Sequence, residues 1–306
     1  DSIEVEVFVF VHILAFPHRS LSYRLSLSFL QKAMAMLASS LLRSCSSLSA
    51  KLLYQSRHVH RSLVATGRVG CIIDADGTEH SPFGVDNILC KVPILDAFSS
   101  RAKLDVEGFE LREHSSCAQG FSSPAAFQDD SRVIHELYPA CEEEVRAASG
   151  ATQVLAFDHN LRGPSNGCQP PVHMVHADYT CESAPRRLMQ LAEPAKVNDT
   201  LRSPNHRLTS EHATSALQRR YTFVNVWLPV GLEPVLREPL ALCDARSVTA
   251  DDLIVYELHY PDRVGENYTA RHTDGHRWSY FPAMSRGQAL LIKCWDSAGW
   301  PIGTGP

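Results

Sequence analysis

Residues 171–180 read Pro171-Val172-His173-Met174-Val175-His176-Ala177-Asp178-Tyr179-Thr180, an apolar alternating run that ends in a His-x-Asp triplet. A strand has a side-chain period of two, so His176 and Asp178 project to one face. An imidazole and a carboxylate on one face are two-thirds of the two-histidine, one-carboxylate set that holds Fe(II) and leaves coordination positions open. Alone, the triplet is a weak signal that an ordinary polar strand end explains better, because a short motif needs its structural context.

Outward from this run the chain reads as many short strands behind one helix. Val154–Phe157, Tyr221–Trp227, Leu253–Leu258, Trp278–Phe281 and Ala289–Lys293 are strand-like and are separated by Pro, Gly and Asp clusters. Ser131–Ser149 carries Ile134, Tyr138, Cys141, Val145 and Ala148 at helical spacing, with Gly150 placed to cap the helix in the left-handed conformation. The expected fold is α+β: a jelly roll (double-stranded β-helix) with flanking helices.

Composition narrows the function. The 306 residues carry a net charge of −5 and a pI near 6.3, which gives no basic footprint for nucleic acid. Nine cysteines, none in a C-x-x-C pair, argue against a disulfide scaffold or zinc ribbon and for free thiols in a reducing compartment. The apolar run Val7–Phe16 holds His12 and stops at Pro17, too short to span a bilayer. A cytoplasmic protein with no membrane partner is expected, and nothing in the sequence sets an oligomeric state. There is no G-x-S-x-G elbow and no H-E-x-x-H, although His135-Glu136 looks like the start of the latter. Gly67-Arg68-Val69-Gly70 lacks the third glycine and following helix of a nucleotide-cofactor turn.

The N-terminal quarter has a different composition. No Asp or Glu lies between Val7 and Ile73, whereas Arg19, Arg24, Lys32, Arg43, Lys51, Arg57, Arg61 and Arg68 are basic and serine is dense. Two readings stand. A mitochondrial presequence beginning near Met34 or Met36 has this composition and would make the protein mitochondrial. Alternatively, residues 12–73 are a disordered segment or the product of a gene-model join, and residues 74–306 alone form the folded domain.

Several ordered blocks resemble the AsaB/CmcJ-type hydroxylase/desaturase family, which includes gibberellin desaturase-like relatives. The blocks are Gly108–Leu111 (GFEL), Ser149–Thr152 (SGAT), Ala156–Arg162 (AFDHNLR) and Pro171–Thr180 itself. They continue with Arg220–Pro229 (RYTFVNVWLP), Pro239–Val248 (PLALCDARSV), His276–Pro282 (HRWSYFP) and Ala289–Ser297 (ALLIKCWDS). The resemblance implies a fungal-type non-haem oxygenase that uses Fe(II) and the cosubstrate 2-oxoglutarate to hydroxylate or desaturate a small molecule of secondary metabolism. It also implies that His176 and Asp178 are metal ligands. Arg246 and Arg277 are candidates for pairing a cosubstrate carboxylate, or else structural ion-pair partners. Tyr221, Trp227 and Trp278 are candidates for a substrate pocket, and Arg220, Asn225 and Asp244 match the blocks without an assigned role.

The chain departs from the family's pattern in three places. Leu228 follows Trp227 where the family has arginine, which is expected to alter substrate binding. After Ser297 the sequence runs Ala298-Gly299-Trp300-Pro301 rather than into the family's F-T-P-H segment, so the distal histidine and the cosubstrate arginine are expected to be missing and the jelly roll incomplete at its C-terminus. His276 is the best substitute ligand among the histidines after Asp178. A catalytically inactive binding protein is the alternative reading that this departure raises. Finally, residues 1–11 (DSIEVEVFVFV) resemble the family's terminal strand, as expected of a gene fusion or a circular permutation.

Overall fold

A computed structural model describes residues 8–17, 48–59, 69–74, 78–163, 168–194 and 208–299. In chain order its strands are β1 (Phe8–Pro17), β2 (Leu48–Gln55), β3 (Gly70–Ile73), β4 (Glu79–Phe83), β5 (Asn87–Asp96), β6 (Phe109–Arg112) and β7 (Ala151–Arg162). They continue with β8 (His176–Ala177), β9 (Thr222–Pro229), β10 (Leu242–Cys243), β11 (Leu253–His259), β12 (Val264–Ala270), β13 (Trp278–Tyr280) and β14 (Ala289–Asp296). The helices are α1 (Tyr138–Ser149), α2 (Ser183–Gln190) and α3 (Ser210–Ala216).

Among the described residues the strands form one large sheet, ordered β6-β14-β9-β1-β7, and two smaller ones, β10-β13-β5-β2 and β4-β3-β11-β12-β8. Bridges from Leu53 to Met174 and from Gln55 to Arg271 join the two smaller sheets along β2. Together they face the large sheet, and the result is the expected jelly roll.

Strand alternation divides the large sheet into two apolar faces. Val224, Val226 and Leu228 of β9, with Ile13 and Ala15 of β1, pack outward against Tyr138, Cys141 and Val145 of α1. Phe223 of β9, Leu14 of β1, Phe157 of β7 and Cys294 of β14 face the other way, toward the second layer. β9 is thus covered on both sides and buried at all eight positions. The helix expected at Ser131–Ser149 is present, entered through a π turn at Val133–Leu137 and closed by Gly150 at φ 65°. Gly70 lies in β3, where an added Cβ would come within 2.3 Å of the Glu257 carbonyl oxygen. Strand packing, not a cofactor turn, accounts for that glycine.

Two expectations change. Of the segment 12–73, the described parts are strands in all three sheets: β1 lies between β7 and β9 of the large sheet, β2 pairs with β5, and β3 pairs with β4 and β11. The described parts of this acid-free stretch are strands. The presequence reading near Met34 and residues 1–7 of the family-like N-terminal strand lie outside the described residues. Leu228 is fully buried on the helix face, opposite Trp227, so its substitution for arginine does not touch the cavity.

Candidate active site

Between the two layers lies a cavity of about 900 Å³. Its walls are largely apolar, with Leu52, Ile94, Met174, Leu240, Trp278 and Ile292 among them. The polar groups concentrate where β8 meets β9, β14 and the end of β7: His176, Asp178, Asn225, Asn160 and Arg162. A mostly apolar chamber with a few convergent polar groups is the form small-molecule sites take.

His176 sits on β8, paired with Thr269 of β12, and Asp178 follows just beyond the strand. Their side chains are 30% and 24% exposed, and both open onto the cavity. The His176 Nδ1 lies 2.7 Å from the Met174 carbonyl oxygen. A carbonyl only accepts, so Nδ1 carries a proton and Nε2 is the free coordinating nitrogen. Nε2 in turn stands 3.5 Å from Asp178 Oδ1. Burial lowers the His176 pKa, but Asp178 and the Met174 carbonyl outweigh it and hold it above the ordinary value. A metal ion with bonds of about 2.1 Å to nitrogen and oxygen would fit between these two atoms.

The carboxylate is itself held in place. Asn225 of β9 donates from Nδ2 to Asp178 Oδ2 at 2.5 Å, and the Cys294 thiol of β14 donates to the same oxygen at 3.5 Å. Burial and the adjoining carboxylate push the Cys294 pKa well up, so it stays a thiol and a donor. Oδ2 is therefore engaged by the large sheet, while Oδ1 faces His176 Nε2. These supports from the large sheet were not assignable from sequence. Asn225 matched a family block, but only the fold shows that its inward position on β9 reaches Asp178.

The remaining candidates divide. Trp227 and Trp278 line the cavity, whereas Tyr221 is buried edge-on against Phe223 with ring centroids 6.1 Å apart. His276 also lines the cavity but has no nitrogen to spare: Nδ1 is 3.0 Å from the Tyr54 hydroxyl and Nε2 is 3.3 Å from Asp252 Oδ2. The Trp278 indole donates to the same Tyr54 oxygen at 2.8 Å, which directs the Tyr54 proton to His276 and makes His276 a donor to Asp252. Both ring nitrogens of His276 are thus engaged in hydrogen bonds. Among the described residues no three His, Cys, Asp or Glu side chains converge as a metal set.

Arg246 and Arg277 are held by acidic partners. Arg246 grips Asp244 with Nε and Nη2 at 3.0 and 2.7 Å and reaches Glu107 at 2.7 Å, while Arg277 Nη2 lies 3.0 Å from the same Asp244. Neither lines the cavity, and both make ion pairs with Asp244. Arg220 likewise forks onto Asp296 at 3.0 and 2.5 Å. The guanidinium that does enter the cavity is Arg162, at the end of β7, which the sequence offered only as part of a block.

Residues 75–301 match a family model described as an oxidoreductase/YMDC permease-like domain. An uncharacterized protein in the dcmA 3' region of Methylophilus leisingeri is 30% identical over 191 residues, covering 57% of this chain and 87% of that protein. The alpha-ketoglutarate-dependent dioxygenase phiK of a fungal species is 28% identical over 226 residues, 73% of this chain and 76% of its own length. The hydroxylase/desaturase asaB of Aspergillus flavus is 36% identical over 103 residues, which are 29% of this chain and 44% of asaB. Among solved structures, the iron and alpha-ketoglutarate-dependent endoperoxidase NvfI superposes with a TM-score of 0.66 at 20% identity, over 84% of this chain and 86% of that one; this likeness speaks for the fold. With the family model spanning most of its length and these relatives aligned to it, the chain belongs to the AsaB/CmcJ-type hydroxylase/desaturase family of oxidoreductases.

Proposed function

We propose that the chain is a non-haem iron, 2-oxoglutarate-dependent oxidoreductase that hydroxylates or desaturates an apolar small molecule. The observation that carries this reading is the 3.5 Å approach of His176 Nε2 and Asp178 Oδ1 in a largely apolar cavity. When bound, Fe(II) with 2-oxoglutarate and O₂ supplies the oxidising power to attack an unactivated C–H bond.

The protein's contribution is orientation and shielding. The Met174 carbonyl fixes the His176 tautomer, and Asn225 and Cys294 fix the Asp178 carboxylate. Trp227, Trp278 and their apolar neighbours exclude water and hold a carbon skeleton against that end. The relatives that bear function names support the same class.

No helix among the described residues is long and apolar enough to cross a membrane. The eight described cysteines are all free thiols, as a reducing compartment keeps them.

Anaerobic titration with Fe(II), with and without 2-oxoglutarate, tests the reading through the weak visible charge-transfer band of the ternary complex. We expect the band in the wild type and its loss in His176→Ala. A wild-type protein that takes up neither metal nor cosubstrate would reject the oxygenase reading and favour a non-catalytic binding protein.

A further inference from the structure

One wall of the cavity is built by β2, β5, β10 and β13, with Ala50, Leu52, Ile94 and Leu242 among its apolar residues. Ser49 and Lys51 of β2 are exposed. The less exposed side chains on this wall that are able to hydrogen-bond are Cys243, Trp278 and Tyr280.

Two of the three are committed within the protein. The Trp278 indole donates to the Tyr54 hydroxyl at 2.8 Å, Tyr54 lies 3.0 Å from His276 Nδ1, and His276 Nε2 lies 3.3 Å from Asp252 Oδ2. Asp252 is fixed in turn by the backbone N–H and the hydroxyl of Thr249, at 2.7 and 2.8 Å. This chain of bonds locks the indole and leaves it only an apolar face to offer a ligand. The Cys243 thiol stands 3.5 Å from the Ser247 hydroxyl, and burial pushes its pKa up to about 11, so it stays neutral.

Tyr280 differs. It follows Trp278 by two residues on β13, so both rings project to one face, and both line the cavity. Packing among Tyr54, Ile94 and Trp278 holds the Tyr280 ring in place. Its hydroxyl has no hydrogen-bond partner among the described residues. A half-buried phenol ordinarily finds one. The partner is then supplied by what fills the cavity.

Size and charge limit what that is. A cavity of about 900 Å³ has room for roughly thirty water-sized groups. A cosubstrate of about ten non-hydrogen atoms would leave space for up to about twenty. β5, β10 and β13 put no charged side chain on the cavity, so a charged group buried against this wall would lose its hydration without compensation. Leu48 and Val172 line the cavity and are 52% and 42% exposed, which makes its mouth apolar as well.

We propose that Tyr280 orients the substrate: its hydroxyl hydrogen-bonds a carbonyl or hydroxyl oxygen of an uncharged, otherwise apolar molecule of up to about twenty non-hydrogen atoms, whose carbon skeleton lies against Trp278. The inference rests on the oxygenase reading, which makes the cavity a substrate chamber, but its test needs no turnover.

The probes are decan-2-one and its isostere 2-methyldec-1-ene, which carries a methylene group where the ketone has oxygen. Each is titrated into wild type, Tyr280→Phe and Tyr280→Met, and binding is followed through the fluorescence of Trp227, Trp278 and Trp295, which line the cavity. Circular dichroism melts establish that each variant is folded, and the methionine variant serves if the phenylalanine variant is not. The expected result is a Kd for the ketone raised roughly 3- to 10-fold in Tyr280→Phe, with binding of the alkene unchanged. The infrared carbonyl stretch of the bound ketone should lie at lower frequency in wild type than in the variants, as a donated hydrogen bond requires. Ketone affinity that is the same in wild type and variants overturns the proposal. So does an equal loss for both probes, which would make Tyr280 a packing residue only, or a folded wild type that binds neither. Mn(II) uptake is measured alongside. Tyr280-dependent ketone binding without Mn(II) uptake would sink the oxygenase reading and leave the Tyr280 contact standing; Mn(II) uptake with Tyr280-independent ketone binding would do the reverse.

Discussion

At the scale of single residues, the site depends on side chains that hold other side chains. Asn225 contributes one hydrogen bond of 2.5 Å, yet that bond decides which Asp178 oxygen faces the metal position. Partners of this kind are typically worth 10- to 100-fold in metal affinity. Asn225→Ala is therefore expected to weaken Mn(II) binding by roughly 10- to 100-fold, followed by the electron paramagnetic resonance signal of the free ion, with little change in the melting temperature. An unchanged affinity would mean that Cys294 alone fixes the carboxylate. Asp296 has a structural role instead. Burial raises its pKa, but the Arg220 fork and the Lys293 ammonium outweigh this and hold it below the ordinary value of 3.8. Between the two values the unfolded chain binds more protons, so stability rises with pH there. This contribution is full above the ordinary value and is lost as pH falls below it and through the lower folded value. Asp296→Asn should cost about 3 kcal/mol at pH 7, because it leaves Arg220 and Lys293 uncompensated. Urea unfolding of wild type and variant should converge as the pH is lowered from 5 toward 3; a constant gap would contradict the assignment. The His-x-Asp pair was legible in sequence from its strand-like spacing, although the strand itself spans only His176–Ala177. Arg246 and Arg277 were not, because their partner, Asp244, meets Arg277 only through tertiary contact.

At the scale of elements, β9 carries both the scaffold and the site on alternate residues. Phe223, Asn225 and Trp227 face the cavity layer, while Val224, Val226 and Leu228 meet α1 and the strands beside it. The sequence identified this strand and the helix it supports, since both have clear periodicity. It could not say which face of β9 the helix covers. Leu228 was thus read as a change in the site when it is a change in the core. Leu228→Ala should cost 2–5 kcal/mol in chemical denaturation by leaving a cavity under α1. Carboxylate and metal affinities of the folded variant should be unchanged, because no cavity wall is touched. A loss of ligand affinity without a loss of stability would place Leu228 on the other face.

At the scale of the whole molecule, the N-terminal strand is a central element of the large sheet. β1 pairs along its length with β7 on one side and β9 on the other, from Phe8 opposite Arg162 and Pro229 to Ala15 opposite Val154 and Thr222. Ile13, Leu14 and Ala15 are fully buried, the first and last toward α1 and Leu14 toward the inner layer. The sequence of β1, FVFVHILAFP, has no charge and no clean alternation, as suits a strand covered on both faces. The same absence of acidic residues made residues 12–73 look expendable. Composition alone does not separate a buried strand from an unfolded leader; the pairing partners do, and they lie more than a hundred residues away. Deleting residues 1–17 would expose the facing edges of β7 and β9 and remove three core side chains. The truncated chain is expected to aggregate or to lose its cooperative thermal transition, read by soluble yield and circular dichroism, since open sheet edges invite intermolecular pairing. If the stretch were a dispensable leader, the truncated protein would instead melt at the wild-type temperature and bind metal as before.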